Sequence, residues 1–422
     1  MPTDLQSGEP PAPTTPPANT EVLIIGGGPA GVEAALAAVD HGYETVLLET
    51  QRVGATIERW SQVRLFSPWA LNRSRRGLAV LEQCRDADGE PVEVPPEDEY
   101  PTGRDYIDHY LRPLSESDTL KPRIYEEVRV VSVARRDALK GDLIGDPRRG
   151  DGPFRVLWES GENEGYTESR IVIDASGVYA HPNWTGTGGG PALGERAAES
   201  WIRREIPDPL GNHRDRYSGK SILVVGGGYS AATCIRDLVH LGRETTRTFV
   251  DWVVRAPDGK MPLIQHDSLP ERRSLSETVN ALVDDPPPFL RVWPGCVVDA
   301  FGEHEVAVRR LDNDQTERLF VDEVISLTGF HPDAGPLAEL QVHHCYATDG
   351  LMKVSASLLS QDGGGDCLAV ESASSETLRN PEPGLFVIGA KSYGRSSQYL
   401  LRTGMEQVEA IFDELLPPPC CP

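Results

Sequence analysis

The sequence predicts an α/β fold in which one parallel-sheet domain is inserted into another. The apolar run at residues 22–25 precedes a glycine turn, an alanine-rich stretch at helical spacing and a second apolar run at 43–48, which is the pattern of a βαβ unit. The same order recurs far downstream, between residues 221 and 254. Two further apolar runs end in glycine, at 171–177 and 324–329, as strands do that leave one domain for the other. Two βαβ units at this separation indicate an insertion.

The composition limits the partners and the location of the protein. A chain of 422 residues with 39% hydrophobic residues can form about two or three domains. Its formal net charge of -24 disfavours nucleic acids and anionic membrane surfaces, so a small uncharged or cationic molecule is the expected partner. No apolar run reaches the length of about 18 residues that a membrane span needs, and residues 1–20 lack the apolar core of a secretory signal. We therefore expect a cytoplasmic protein without membrane contact.

The first glycine motif has the spacing of a dinucleotide-binding loop. Gly26, Gly28 and Gly31 lie between the first predicted strand and the helix that follows it. Gly26 permits a tight turn, Gly28 lets the backbone approach a pyrophosphate, and Gly31 allows helix and strand to pack closely. The N–H groups at the start of the helix then face the phosphates. Glu49 ends the next strand, where a carboxylate accepts hydrogen bonds from both ribose hydroxyls.

The second glycine motif differs from the first at the end of its second strand. Gly226, Gly228 and Ala231 form the loop, and Arg255 stands where the first unit has an acid. A carboxylate at this position would repel a 2′-phosphate, whereas arginine pairs with it, so NADPH is favoured over NADH. Two alternatives stay open: Arg255 is a solvated residue at the strand end, or Lys260 shares or replaces its role.

Both motifs, the segments 174–177 and 327–329, and the closing segment 384–389 occur in the order found in one family. The chain resembles the two-dinucleotide-binding-domain flavoproteins, which include glutathione-reductase-like enzymes, thioredoxin reductases and class B flavin monooxygenases. The resemblance covers nearly all of residues 21–415. It implies an FAD-binding Rossmann-like domain assembled from both chain ends, with an inserted NAD(P)H-binding Rossmann-like domain. The first motif then binds FAD and the second binds NADPH.

The resemblance suggests domain boundaries and cofactor-binding residues. We expect a disordered tail at 1–20, the FAD-binding domain at 21–205 and 336–422, and the NAD(P)H-binding domain at 206–335. The expected cofactor-binding residues are Gly26, Gly28, Pro29, Ala30, Gly31, Glu49, Gly226, Gly228, Ser230, Ala231, Arg255, Gly389 and Arg395.

The closing segment departs from the pattern of the disulfide reductases, in which an aspartate follows the strand glycine and holds the flavin ribityl chain. Here Ala390 and Lys391 follow Gly389, so we expect Ser392, Tyr393 or Arg395 to supply that contact. Residues 402–407 resemble the start of the family's terminal helix, whose N–H groups face the flavin pyrimidine. An ordinary surface loop and helix are the alternative.

Aromatic residues follow Glu49, where related enzymes run past the flavin ring. Trp60, Phe66 and Trp69 are candidates to wall a flavin or substrate pocket, together with Tyr393 from the closing segment. Arg64 is a candidate to bind substrate or cofactor. Plain core packing is the alternative interpretation of this segment.

The distribution of the cysteines argues against a cysteine pair that would take electrons from the flavin. Seven cysteines are scattered without a C-x-x-C pair, and Ala30 stands in the first glycine loop where a few cysteine-dependent relatives carry a thiol. A disulfide reductase is therefore disfavoured, and Cys420 and Cys421 are expected to lie in a reduced C-terminal tail. Adjacent His343, His344 and Cys345 point to opposite sides of an extended chain, so we expect no metal site.

These observations favour an FAD-dependent, NADPH-linked oxidoreductase, specifically a flavin monooxygenase that oxygenates a small organic substrate. The alternative is an NAD(P)H-dependent flavin reductase or dehydrogenase that acts on a small acceptor without a cysteine relay. A non-catalytic nucleotide sensor would be expected to lose a glycine or a terminal carboxylate, and both motifs are intact. Residues 177–181 and Trp184 match the monooxygenase signature only in part, and we interpret His181 as a loop histidine. The sequence leaves the substrate, the catalytic residues and a homodimer open.

Overall fold

The structure is a computed structural model that describes residues 15–85, 88–360 and 375–416. Most of the expected N-terminal tail lies outside these residues, as do Cys367, Cys420 and Cys421. The first strand begins at Asn19, and the Pro17 carbonyl accepts a hydrogen bond of 2.7 Å from Thr167 Oγ1. Residues 17–20 are thus tied to the first sheet, and the tail predicted for residues 1–20 is too long at its C-terminal end.

The N-terminal part of the chain forms a βαβ unit, a group of short helices and a β-meander. Its elements are β1 (Asn19–Ile25), α1 (Pro29–Asp40), β2 (Thr45–Leu48), α2 (Ala55–Glu58), α3 (Arg75–Leu81), α4 (Gly103–Tyr106), α5 (Arg112–Glu116), β3 (Ile124–Tyr125), β4 (Arg129–Arg135), β5 (Phe154–Ser160) and β6 (Asn163–Asp174). A π-helical stretch, Ile107–Leu111, joins α4 to α5. Short 3₁₀ turns lie at Trp69–Leu71, Lys121–Arg123 and Pro147–Gly150.

The middle of the chain forms a second parallel sheet with a three-stranded sheet beside it. Its elements are β7 (Ile202–Arg203), α6 (Arg214–Tyr217), β8 (Ser221–Val225), α7 (Tyr229–Glu244), β9 (Phe249–Val254), α8 (Pro270–Asp284), β10 (Leu290–Pro294), β11 (Cys296–Phe301), β12 (Glu305–Arg310), β13 (Thr316–Phe320) and β14 (Glu323–Ser326). Short 3₁₀ turns lie at Thr187–Gly189, Glu199–Trp201 and Gly335–Leu337.

The C-terminal part returns to the first sheet. It contains α9 (Met352–Ser360), α10 (Ser375–Leu378), β15 (Leu385–Val387), α11 (Ala390–Tyr393) and α12 (Leu401–Ala410), which continues into a π-helical turn at Ile411–Leu415.

The first sheet contains strands from both ends of the described chain. Its order is β3-β2-β1-β6-β5-β4, and β15 pairs in parallel with the C-terminal part of β6. The strands β3, β2, β1, β6 and β15 run parallel, whereas β4 and β5 form an antiparallel meander on β6. All four residues of β2 and the last four of β1 are buried, which explains their unbroken apolar runs. This arrangement confirms the predicted α/β fold class.

The second sheet is entirely parallel, in the order β10-β9-β8-β14-β7. Because β7 pairs with β14, the inserted domain begins before residue 206. The preceding segment also belongs to it, since Gly186 and Leu193 form bridges to β11. The boundary suggested after residue 205 therefore lies too late. A two-residue strand and a glycine-rich loop have no periodicity that would reveal their sheet.

A buried charged cluster joins the two parts of the first domain. The Glu382 carboxylate, just before β15, accepts hydrogen bonds from Arg135 Nε at 2.7 Å and from Arg149 Nε at 2.9 Å. All three side chains are at most 2% exposed. Burial alone would raise the pKa of Glu382, but hydrogen bonds from Arg149, the Gln341 N–H and Arg135 hold that pKa below its ordinary value. Removing one member of such a cluster leaves buried charge without a partner, at a cost of about 3–5 kcal/mol.

Candidate functional site

The first glycine loop connects β1 to α1, and its shape requires two of its glycines. Gly26 has a φ of +102°, and a Cβ atom built on it would lie 2.7 Å from the Ala175 carbonyl oxygen. A Cβ atom on Gly31 would lie 1.9 Å from the Gly26 carbonyl oxygen. A Cβ atom built on Gly28 would have no neighbouring atom within 4 Å. The loop thus packs tightly on both sides and leaves open space at Gly28, before the first N–H groups of α1.

Glu49 lies beside this loop at the end of β2. Its Oε2 accepts a hydrogen bond of 2.5 Å from the Gly27 N–H, and its Oε1 accepts one of 2.8 Å from the Gln51 N–H. Burial raises the pKa of Glu49 above its ordinary value, although these two N–H groups oppose the shift. Each carboxylate oxygen keeps further acceptor capacity. The carboxylate therefore fixes the loop and still has lone pairs for a ligand.

The start of α1 meets the C-terminal segment. The Cβ atom of Ala30 lies 3.2 Å from a Cβ atom built on Gly389 and 3.3 Å from one built on Gly404, in the first turn of α12. Gln407 Oε1 accepts a hydrogen bond of 2.8 Å from the Gly389 N–H. Pro29, the first residue of α1, has no N–H to satisfy at this position. Two helix starts therefore converge beside Gly389.

The structure changes the roles expected for the closing segment. Lys391 is 3% exposed, and its Nζ lies 2.6 Å from Asp174 Oδ2 and 3.0 Å from Ser176 Oγ. Ser392 is fully buried and donates a hydrogen bond of 2.8 Å to the Gly389 carbonyl. Tyr393 is 2% exposed and lies in the hydrophobic core. Ser392 and Tyr393 thus expose almost no surface to a ligand, which contradicts the flavin contact and the pocket wall expected of them.

Arg395, the other expected contact, is exposed but already bonded. Its Nε donates to Asp349 Oδ2 at 2.6 Å, and one terminal nitrogen donates to Asn183 Oδ1 at 2.9 Å. Asn183 belongs to the first crossing between the domains, residues 175–184, so Arg395 connects the closing segment to that crossing. Sequence reasoning missed Asn183 because its partners lie far apart along the chain.

The predicted aromatic wall is divided between the core and the domain junction. Trp69 is 2% exposed and packs on Tyr106 with a centroid distance of 5.8 Å, so it is a core residue and not a pocket wall. Arg64 is exposed, and its guanidinium donates to the Tyr100 carbonyl. Phe66 reaches the inserted domain, where its ring lies edge-on to Tyr229 at 5.4 Å.

Trp60 belongs to an aromatic cluster at the domain junction, which it forms with Tyr179 and Phe330. The ring of Tyr179 lies 6.2 Å from that of Trp60 and 4.6 Å from that of Phe330. Tyr179 is 42% exposed, so this cluster is not closed off from solvent. Burial, and then the nearness of Tyr393 and Tyr179, raise the pKa of Tyr399. These rings come from distant segments, which gave no common sequence signal.

The second glycine loop repeats the geometry of the first. Gly226 has a φ of +137°, and a Cβ atom on it would lie 2.3 Å from the Leu327 carbonyl oxygen. A Cβ atom built on Gly228 would again have no neighbouring atom within 4 Å, and α7 begins at the next residue. Ala231 is fully buried against the loop, and Ser230 is half-buried. An open position thus precedes a helix start at both loops.

Arg255 follows β9 at the edge of this second loop. It is exposed, and its guanidinium makes no hydrogen bond or ion pair with another of the residues that the structure describes. Lys260, the alternative cation, lies 2.6 Å from Asp284 Oδ1. Of these two cationic side chains, Lys260 is paired and Arg255 has no partner among the described residues.

The thiols and histidines form no redox or metal centre within residues 15–85, 88–360 and 375–416. Cys84, Cys234, Cys296 and Cys345 are all free thiols there. Burial raises the pKa of Cys234, whereas N–H and hydroxyl donors, first the Ala347 N–H, lower that of Cys345. No group of three or more potential metal ligands occurs in these ranges. None of the helices described there is both long and apolar enough to cross a bilayer.

Comparison with known proteins agrees with this architecture. Residues 23–139 match the family described as pyridine nucleotide-disulphide oxidoreductase. The sequence matches no curated relative. The fold is similar to that of bacillithiol disulfide reductase from Bacillus cereus, with a TM-score of 0.67 and 18% identity over 94% of this chain and 98% of that one.

Two oxygenases share the fold. The cadaverine monooxygenase of desferrioxamine biosynthesis from Erwinia amylovora, solved with FAD, has a TM-score of 0.63 and 14% identity over 94% of each chain. The ornithine N-hydroxylase from Kutzneria sp. 744, solved with reduced FAD, NADP+ and L-ornithine, has a TM-score of 0.60 and 16% identity over 94% of this chain and 98% of that one. This chain therefore has the fold of the two-dinucleotide-binding-domain flavoproteins, which confirms the resemblance. The cofactors of these structures agree with the FAD and NADPH expected from the sequence.

The two open glycine positions generate a paired prediction. Gly28 and Gly228 have ordinary extended backbone angles, with φ of -78° and -94°, so a side chain fits the fold at either position. We expect Gly28→Val to fold and lose the flavin band near roughly 450 nm, because the side chain fills the pyrophosphate position. Gly228→Val should keep that band and lose NADP+ binding in calorimetry.

Gly31→Val is the control for damage to the fold, because its side chain would collide with the Gly26 carbonyl. It should lower the melting temperature, which Gly28→Val should leave near the wild-type value measured without cofactor. If Gly228→Val lost the flavin, or Gly28→Val retained it, the assignment of one dinucleotide to each loop would be wrong.

Proposed function

We propose that this protein is an FAD-dependent, NADPH-linked oxidoreductase that acts as a flavin monooxygenase on a small organic substrate. The observation that carries the proposal is the pair of glycine loops, each with an open position before a helix start. FAD is assigned to the loop of Gly26, Gly28 and Gly31, with Glu49 on the ribose. NADPH is assigned to the loop of Gly226, Gly228 and Ala231, with Arg255 at the 2′-phosphate. A cytoplasmic location and a homodimer remain predictions.

The residues of both loops fit these groups chemically. The N–H groups at the starts of α1 and α7 carry partial positive charge and bind phosphate oxygens. Glu49 accepts hydrogen bonds from ribose hydroxyls, and the free guanidinium of Arg255 pairs with a phosphate. When bound, the flavin supplies hydride acceptance and reaction with oxygen, and the chain supplies binding, orientation and exclusion of water.

A monooxygenase and a disulfide reductase differ in the group that accepts electrons from the flavin. Ala30 places a methyl group, and no thiol, where the first helix meets Gly389 and α12. The four free cysteines of the described segments form no pair that could relay two electrons. As far as the described segments show, electrons from a bound flavin would have to pass directly to oxygen or to a small acceptor. The aromatic side chains of Trp60 and Phe330 would help to exclude water from a flavin bound beside them, which favours oxygen chemistry.

Arg255→Ala tests the assignment of NADPH to the second loop. Loss of a charged hydrogen bond to the 2′-phosphate should raise the Michaelis constant for NADPH roughly ten- to a hundredfold and leave that for NADH nearly unchanged. Lys260→Ala is the matched control, because Lys260 is already paired with Asp284. Equal changes for NADPH and NADH in Arg255→Ala would refute the assignment.

Oxygen reactivity tests the monooxygenase proposal itself. The protein loaded with FAD is reduced anaerobically with NADPH and then mixed with oxygen in a stopped-flow spectrometer. A monooxygenase should show a transient absorbance near roughly 370 nm before the oxidised flavin band returns. Immediate return of the oxidised band with release of hydrogen peroxide would contradict the proposal and favour the reductase alternative.

A further inference from the structure

We propose that Asn183 is a positioning residue for hydride transfer, because it fixes the NADPH-binding domain in one orientation relative to the flavin site. The inference rests on the proposed function and concerns the two crossings between the domains. The first crossing runs from Ala175 to Trp184, and the second runs from Leu327 to Asp333. Asn183 lies in the first crossing and bonds to the second crossing and to the closing segment at once.

The side chain of Asn183 uses both of its polar atoms. Its Nδ2 donates to the Thr328 carbonyl at 3.1 Å, which connects the first crossing to the second. Its Oδ1 accepts from a terminal nitrogen of Arg395 at 2.9 Å and lies 3.0 Å from His331 Nδ1. One amide side chain therefore joins three segments that lie far apart in sequence.

The backbone of Asn183 adds a second set of contacts. Its N–H donates to the Gly329 carbonyl at 2.9 Å, and its carbonyl accepts from Thr328 Oγ1 at 3.0 Å. Arg204, which follows β7, also donates to that carbonyl at 3.3 Å. Beside Asn183, the His331 N–H donates to the His181 carbonyl at 2.9 Å. The two crossings are therefore bonded to each other over several residues.

Arg395 carries this connection to the first nucleotide site. Its backbone N–H donates to the Thr348 carbonyl at 2.8 Å, and its Nε is held by Asp349 at 2.6 Å. The same segment begins at Gly389, which packs on Ala30 at the start of α1. Asn183 is therefore connected, through Arg395, to the residues assigned to FAD.

The rate of hydride transfer depends on how such a connection positions the two cofactors. A donor and an acceptor must approach to about 3–3.5 Å, and a displacement of about 1 Å can lower the rate roughly a hundredfold. Because Asn183 makes no hydrogen bond to residues 26–31 or 226–231, its loss should change the approach of the two cofactors without changing their individual binding.

Asn183→Ala tests the proposal with five measurements. We expect the flavin absorbance and the Kd for NADP+ to stay at wild-type values, and the limiting rate of flavin reduction at saturating NADPH to fall about tenfold or more. We also expect faster amide hydrogen exchange at residues 177–184 and 327–333 in the protein without cofactor, because the bonds between the crossings are lost. A role in stability alone would lower the melting temperature without lowering the limiting rate.

Matched variants isolate the contacts. Thr328→Val removes the hydroxyl that donates to the Asn183 carbonyl and should behave like a weaker Asn183→Ala, whereas Thr328→Ser keeps the hydroxyl and should restore the wild-type rate. Asn313→Ala is the control for the substitution itself, because Asn313 Oδ1 only accepts from the Gln315 N–H in a surface turn. It should change neither rate nor exchange at the crossings.

The outcomes separate this proposal from the proposed function. If wild-type protein is not reduced by NADPH, the proposed function fails, and hydrogen exchange still tests the contact between the crossings. If Asn183→Ala is reduced at the wild-type rate, or if its exchange at both crossings is unchanged, the positioning role is overturned. Weaker binding of FAD or NADP+ at an unchanged limiting rate would also overturn it.

Discussion

The contact between the two domain crossings links the two glycine loops to each other. Each glycine loop packs on the crossing that leaves its own sheet: Gly26 lies against the Ala175 carbonyl, and Gly226 lies against the Leu327 carbonyl. A displacement of either crossing would therefore move the loop beside it. Because Asn183 bonds the crossings together, the two loops are held by one continuous set of backbone contacts. The positions of the two glycine loops thus depend on the crossings between the domains as well as on the two sheets.

Much of this arrangement could be predicted from local sequence. The need for Gly26 and Gly31 follows from the tight turn and the close helix, which depend on neighbouring residues. The two βαβ units and the return of the chain to the first sheet could be predicted from apolar runs and their order. The start of the inserted domain could not, because β7 is a two-residue strand without periodicity. The burial of Trp69, Ser392 and Tyr393 also depends on distant segments, so their residue types alone suggested a pocket wall or a flavin contact.

Charge is distributed unevenly in this acidic protein. Buried charges are paired, as in Lys391 with Asp174 and in Glu382 with two arginines, since an isolated buried charge is costly. Sequence separation hid the first pair, whose members lie 217 residues apart. Arg255 is the contrasting case, an exposed guanidinium without a partner among the described residues. With a net charge of -24, a free cation beside the second glycine loop gives that site a local attraction for phosphate.

The proposed function requires that NADPH bound at the second loop can deliver its hydride directly to a flavin bound at the first. NADPH carrying deuterium on one or the other face of C4 tests this claim in an anaerobic stopped-flow experiment. We expect the flavin to be bleached in one phase and one of the two labels, but not the other, to slow the bleaching. Absence of bleaching, or bleaching at the same rate with both labels and with unlabelled NADPH, would contradict it.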